Sequence, residues 1–179
     1  MRASLMLIPA AIIGAAAAPA AQATVFMNIE QAQQLIFPGI KLKEHFVTLD
    51  QDQYNALVDE VAGEPYGRKV RAWRTPDGEW FVIDQVPGKD EWITYAVGID
   101  TKGTVKQIEI IETEENYDAI THPAWRSYFR GRQRKFDIKR IPIISGSTLS
   151  SQNMAVGVRR VLATVAIALE PSVQGQAKP

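Results

Sequence analysis

Residues 68–111 read RKVRAWR TPDG EWFVIDQV PGKD E WITYAVGI DTKG TVKQIEII, four runs rich in β-branched and aromatic residues broken by three turns. The runs predict strands over Arg68 to Arg74, Glu79 to Val86, Trp92 to Ile99 and Thr104 to Ile111. Between them stand Thr75-Pro76-Asp77-Gly78, Pro87-Gly88-Lys89-Asp90 and Asp100-Thr101-Lys102-Gly103. In each, Pro presets φ, Asp bonds its own backbone, or Gly takes a positive φ. Links this short allow only antiparallel neighbours. Working upstream, a strand is expected over Lys41 to Thr48, between two helices. The first runs from Asn28 to Phe37, with Asn28 and Gln31 at capping-box spacing, Ile29, Ala32, Leu35 and Ile36 on one face, and Pro38-Gly39 as its stop. The second is capped by Asp50, turns Tyr54, Leu57, Val58 and Val61 inward and ends at Gly63. Downstream, Pro123 opens a short helix through Phe129, stopped by Gly131, and a strand follows from Lys135 to Ile144. From Gln152 to Glu170 the apolar residues Met154, Val158, Val161, Leu162, Val165 and Leu169 recur every three or four positions, one face of a helix that Pro171 stops. Together these predict an α+β fold, a twisted antiparallel sheet with helices packed on one side, in a single domain.

The first 23 residues have the pattern of an export signal: Arg2 as the charged start, an apolar run from Leu5 to Ala18, and Ala21-Gln22-Ala23 as a small-residue cleavage site. Cleavage after Ala23 is expected, with an uncleaved N-terminal membrane anchor as the alternative. The domain then spans residues 24–170, with a disordered tail over 171–179, in a periplasmic or other extracytoplasmic setting. The whole chain balances 20 basic against 20 acidic residues, and losing Arg2 leaves 19 against 20, a net charge near −1. Nothing in that balance implies nucleic acid as a partner. Cysteine is absent, which excludes disulfides, thiolate zinc sites, iron–sulfur clusters, covalent c-type haem and a lipid-modified N-terminal Cys. If this chain carries electrons, an organic cofactor holds them.

The turn Ser145-Gly146-Ser147-Thr148-Leu149-Ser150-Ser151 precedes the last helix. Gly146 permits a tight bend, and small hydroxyl neighbours leave room for a bulky group. With Ser150 or Ser151 as N-cap, Thr148 would sit over free backbone N–H groups and the positive end of the helix dipole, where phosphate is favoured.

This stretch resembles the Ser/Thr-Gly-Ala-Thr-x-Thr/Ser signature of FMN-binding domain proteins, which include flavin subunits of the sodium-pumping NADH:quinone reductase and the Rnf complex. The similarity extends upstream, through Tyr95-Ala96-Val97-Gly98-Ile99-Asp100, Lys102-Gly103, and Ile108 to Thr113. It also takes in Trp125-Arg126 and Phe129-Arg130-Gly131-Arg132, and the signature-bearing part covers about residues 92–170. In that family a flavin transferase moves FMN from FAD onto the threonine, leaving a phosphoester. The resemblance therefore implies covalent FMN on Thr148, with Ser145, Gly146, Ser147, Leu149 and Ser150 around it and Glu112-Thr113 near the flavin. The implied partners are that transferase and a membrane or periplasmic redox donor and acceptor, the chain acting as an electron carrier. Departures from the family pattern are Ser147 in place of Ala, Pro142 where an acidic residue is common, and Glu114-Glu115 in place of Pro-Gly. The alternative reading is an exported binding or adaptor module of the same fold without flavin.

Between Arg126 and Arg140 lie Arg126, Arg130, Arg132, Arg134, Lys135, Lys139 and Arg140 against Asp137 alone, after an acidic run of Glu109, Glu112, Glu114, Glu115 and Asp118. These read as solvated faces pairing in part, or as cations for the FMN phosphate or a docking partner. Trp125, Tyr128 and Phe129 are either core or stacking surfaces for a flavin ring. His45 and His122, far apart and without a carboxylate cluster, make no metal site. No Gly-x-Ser-x-Gly elbow, Ser-x-x-Lys or phosphate loop is present, and no base is at hand for Thr148 as a nucleophile, so no catalytic residue is assigned.

Overall fold

The computed structural model describes residues 24–61, 65–89, 91–113 and 118–170. The export signal, Gly63, Asp90, Glu114-Glu115 and the tail over 171–179 lie outside them.

The first and third turns do what their residues dictate. Thr75 and Glu79 close the first, with Gly78 at φ +92° donating to the Thr75 carbonyl at 3.0 Å. In the third, Asp100 Oδ1 accepts from the N–H groups of Lys102 and Thr104, both at 2.9 Å, and Gly103 takes φ +72°. The strands they join are β4 (Lys69–Arg74), β5 (Trp80–Pro87), β6 (Trp92–Ile99) and β7 (Val105–Thr113), all antiparallel. Strand β1 (Thr24–Val25) adds to β7, while the expected strand over 41–48 is two short pieces, β2 (Lys43–Glu44) and β3 (Val47–Thr48), each paired with β4. The order across the sheet is β1-β7-β6-β5-β4-β2.

Helix α1 (Ile29–Ile36) begins on the predicted capping box, Asn28 and Gln31 exchanging bonds of 2.8 Å. Helix α2 (Gln51–Val61) repeats the device, with Asp50 Oδ1 accepting from Gln53 N at 2.8 Å and Gln53 Oε1 from Asp50 N at 3.1 Å. Two short helices, α3 (Asp118–Thr121) and α4 (Pro123–Arg126), run into a 3₁₀ turn over Ser127–Phe129 that Gly131 ends at φ +78°. Helix α5 (Thr148–Thr164) is the longest and finishes in a π-helical turn, Val165–Leu169. All six of its predicted inward residues are buried.

The pleat sorts the core into two layers. Val82, Val86, Ile93, Tyr95, Val97, Ile108 and Ile110 face α2, α5 and the α3–α4 segment. Phe81, Ile83, Ala96 and Ile111 face the other way, against Ala32, Ile36 and Phe37 of α1. Helices therefore cover both faces, not one. The close fit of α1 has a local cause: a Cβ on Gly98 would lie 2.1 Å from Ile36 Cγ2. Leu35, expected on the inner face of α1, is exposed.

Candidate functional site

The segment leading to the signature turn is not the strand expected over Lys135 to Ile144. Just before it, Gln133 bridges to Thr104 beside β7, and the segment then forms a 3₁₀ turn, Ile138–Arg140, capped by Asp137 Oδ1 on Lys139 N at 3.0 Å. Its apolar residues face inward at Ile138, Ile141 and Ile144, a spacing of three that suits a 3₁₀ path and not the two of a strand. Trp125 Nε1 donates to the Pro142 carbonyl at 2.8 Å, fixing this approach to α4.

Ser147 N donates to the Ile144 carbonyl at 3.0 Å, and Gly146 turns the chain at φ +85° with open space where a side chain would be. Helix α5 then starts at Thr148, so the N-cap is Ser147 and not Ser150 or Ser151. Ser150 and Ser151 are buried in the first turn instead. The Ser151 hydroxyl donates to the Thr148 carbonyl at 3.0 Å and accepts from Ile144 N at 3.3 Å, stapling turn to helix. Ser147 is buried but makes no side-chain cap bond. Ser145, Gly146, Thr148 and Leu149 are exposed. The first helical bond is Ser151 N to the Ser147 carbonyl at 2.9 Å, so the N–H groups of Thr148 and Leu149 precede the ladder at the positive end of a 17-residue helix. No acidic residue stands in that first turn.

Glu112 and Thr113 close β7 at the same end of the sheet. Asn153, a turn and a half into α5, donates from Nδ2 to the Pro87 carbonyl at 2.8 Å. Pro87 pairs with Trp92 at the start of β6, whose next residues, Ile93 and Thr94, pair with Thr113 and Glu112. A register shift between Thr94 and Tyr95 sets this end of β7. Thr113, fully buried opposite Ile93, is on the α5 side; Glu112, half-buried opposite Thr94, is on the other. The structure thus brings Thr113 to the signature's side and separates Glu112 from it. Asn153 was not singled out from sequence; a polar residue beside the inward Met154 was its only signal.

Most of the basic run is committed to structure. Arg126 pairs with buried Glu109 and donates to the carbonyls of Ile108 at 2.8 Å and Thr121 at 3.1 Å. Arg130 and Arg132 bond the carbonyls of Lys106 and Tyr128 at 3.1 and 3.0 Å. Arg134 grips Glu60 of α2, and that ion pair holds the Glu60 carboxyl below its usual range. Lys135, Lys139 and Arg140 remain exposed, in no ion pair among the described residues.

Of the aromatics, Trp125 and Phe129 are core, their rings edge to face at 5.2 Å with Phe136 beyond. Tyr128 is exposed. His122 Nδ1 caps α4 by accepting from Ala124 N at 3.2 Å, and His45 lies edge-on to Trp80 at 5.1 Å. Among the described residues no cluster of three or more His, Asp or Glu could hold a metal, and no helix is long and apolar enough to cross a membrane.

Residues 88–163 match the FMN-binding domain family. The matched span opens in the turn after β5, takes in β6, β7, α3, α4 and the Ser145–Ser151 turn, and closes within α5. No curated protein gives a significant match to the chain. The strand pair β6–β7, the His122-capped α4 and the exposed threonine at the head of α5 all fall in that span: the chain carries an FMN-binding domain, which makes it a flavin-binding protein with FMN as its cofactor.

Proposed function

We propose that this protein is exported and carries FMN through a phosphoester on Thr148, serving as an electron carrier between a membrane or periplasmic donor and an acceptor. The observation that carries the reading is the position of Thr148, exposed at the first residue of α5 inside the matched span. A phosphate fits there on the donor set: first-turn N–H groups, a dipole end, no carboxylate in the turn, and open space beside Gly146. Lys139 and Arg140, on the 3₁₀ turn that precedes the signature, are exposed and in no ion pair among the described residues, so their positive charge is available.

Among the described residues no base bonds the Thr148 hydroxyl, which suits a threonine modified by a second enzyme. In the attachment, Thr148 Oγ1 bonds to the flavin-side phosphorus of FAD, the pyrophosphate bond breaks, AMP leaves, and the hydroxyl proton passes to a base on the transferase. Bound flavin supplies one- and two-electron chemistry; the chain supplies tether, orientation and electrostatic setting. Thr113, buried on the α5 side, is its polar contribution at that end of the sheet. Residues 1–23 would serve export and be removed after Ala23.

The test is co-expression of the full chain with a periplasmic flavin transferase, followed by denaturation, gel fluorescence and intact mass. The expected result is a gain of one FMN less one water, lost in Thr148→Ala while the variant's melting temperature stays within about 2 °C of wild type, as for other exposed sites. No adduct, or an adduct that survives Thr148→Ala, overturns the reading.

A further inference from the structure

Strand β4 leaves β5 after the pair Arg71 and Ile83, and its first residues, Lys69 and Val70, turn to β3 instead. Strand β5 runs on from Asp84 to Pro87 paired only with β6. The opening between the departing strand and α5 is a cleft of about 580 Å³. That volume lies in the range that holds a small organic molecule, roughly 300–1,000 Å³.

The cleft has an apolar floor and a cationic rim. Leu49, Leu57, Val82 and Val161 form the floor, all buried. One wall is Arg160, 5% exposed, whose Nε and Nη2 donate to Asp84 Oδ2 at 3.1 and 2.6 Å and whose Nη2 also reaches the Gln85 carbonyl at 2.8 Å. The Tyr95 hydroxyl donates to the same Asp84 oxygen at 2.9 Å. The guanidinium is therefore fixed, with Nη1 left outside these bonds. Arg68, Lys69 and Arg71 stand on the rim, exposed and in no ion pair among the described residues. Among the described residues four cations line the cleft against one carboxylate, Asp84, already shared by Arg160 and Tyr95. At the mouth the Tyr66 ring covers Arg160 at 4.8 Å and meets the exposed ring of Trp92 edge to face at 4.9 Å.

We propose that this cleft is a second binding site, for a small organic anion with a flat apolar body and a carboxylate head. The body lies on the aliphatic floor beside Tyr66, and the head meets Lys69, Arg71 and the free edge of Arg160. The site is separate from the attachment threonine: Arg160 is twelve residues beyond Thr148, about 18 Å along the helix. It does not depend on flavin attachment.

The probe is 1-naphthoate, with neutral 1-naphthalenemethanol as its control, titrated calorimetrically into the mature chain as Thr148→Ala and as flavinylated protein. One saturable site for naphthoate is expected in both, about tenfold tighter than for the alcohol. Lys69→Glu with Arg71→Glu, exposed positions whose folding circular dichroism checks, weakens it by about tenfold or more, and so does Tyr66→Ala. Absence of saturable binding, equal affinity for the alcohol, or indifference to the charge reversal overturns the site. Binding lost only in the flavinylated chain assigns the cleft to the tethered ring and overturns a second ligand.

Discussion

The two halves of α5 are built on opposite terms. Its middle is pressed into the sheet: a Cβ on Gly157 would lie 2.4 Å from Tyr95 Oη and 2.6 Å from Val86 Cγ1, and Arg160 is buried in bonds to Asp84 and Gln85. Its first turn is joined to the approaching chain through Ser151, which bonds the Thr148 carbonyl and Ile144 N, and leaves Thr148 and Leu149 in solvent. The difference separates the residues that fix where the helix lies from those it presents. A presented residue is free to be modified because the packed half has already set its position.

The packed half is the place to break this contrast. Asp84→Asn leaves the Arg160 charge buried without its counter-ion, and since Asp84 is a quarter exposed we expect about 2–3 kcal/mol, below the cost for a fully enclosed pair. That lowers the melting temperature by roughly 5–10 °C. The double variant Asp84→Leu with Arg160→Met should recover much of it, and a thermal melt that showed no recovery would contradict the pairing. Gly157→Ala comes next. Its methyl must displace Tyr95 or Val86, neither a free chain end, at about 1–3 kcal/mol read from urea midpoints. A stabilised Gly157→Ala would mean that α5 does not lie this close to β6.

The Glu60–Arg134 pair ties α2 to the loop after α4 and tests the frame around the signature. Arg134 holds the folded Glu60 carboxyl below 4.5, so the unfolded chain takes up its proton first as pH falls. The contribution is complete above about pH 4.5 and is lost as pH falls through the lowered value. Denaturant midpoints at pH 7 and pH 3 should therefore differ more for wild type than for Glu60→Gln. Parallel acid limbs would show that the pair carries no weight.

How far the residues announced all this depended on how local the cause was. The strands β4 to β7 were legible to within two residues because turns with their own chemistry separate them, and the box at Asn28 and the cap at Asp50 because capping residues stand at fixed places before a helix. The second covered face was legible in principle: Trp80 to Ile83 is four apolar residues in a row, all buried, the pattern of a strand enclosed on both sides. The segment 135–144 misled because its isoleucines satisfy a strand's composition while their spacing of three belongs to a tighter turn. Thr148 stood out only through resemblance, since Ser and Thr are ordinary cap residues. The cleft was not legible, because it exists where β4 parts from β5 and no local pattern records that.

The smallest effect sits at Ser147, where the two halves' logic meets. It is the N-cap of α5, yet its side chain makes no cap bond, unlike Asn28 and Asp50, each of which accepts from a backbone N–H at 2.8 Å. Asn28→Ala should therefore cost about 1 kcal/mol, the usual worth of a bonded cap, while Ser147→Ala should cost a few tenths at most. Ser147→Ala also restores the small residue common in the family signature, so adduct yield with a transferase should hold or rise. A melting temperature for Ser147→Ala that falls as far as that of Asn28→Ala would show that the hydroxyl does cap the helix. The first turn of α5 would then be fixed by a bonded cap as α1 and α2 are, and the contrast between a firmly set half and a loosely presented one would weaken at the residue next to Thr148.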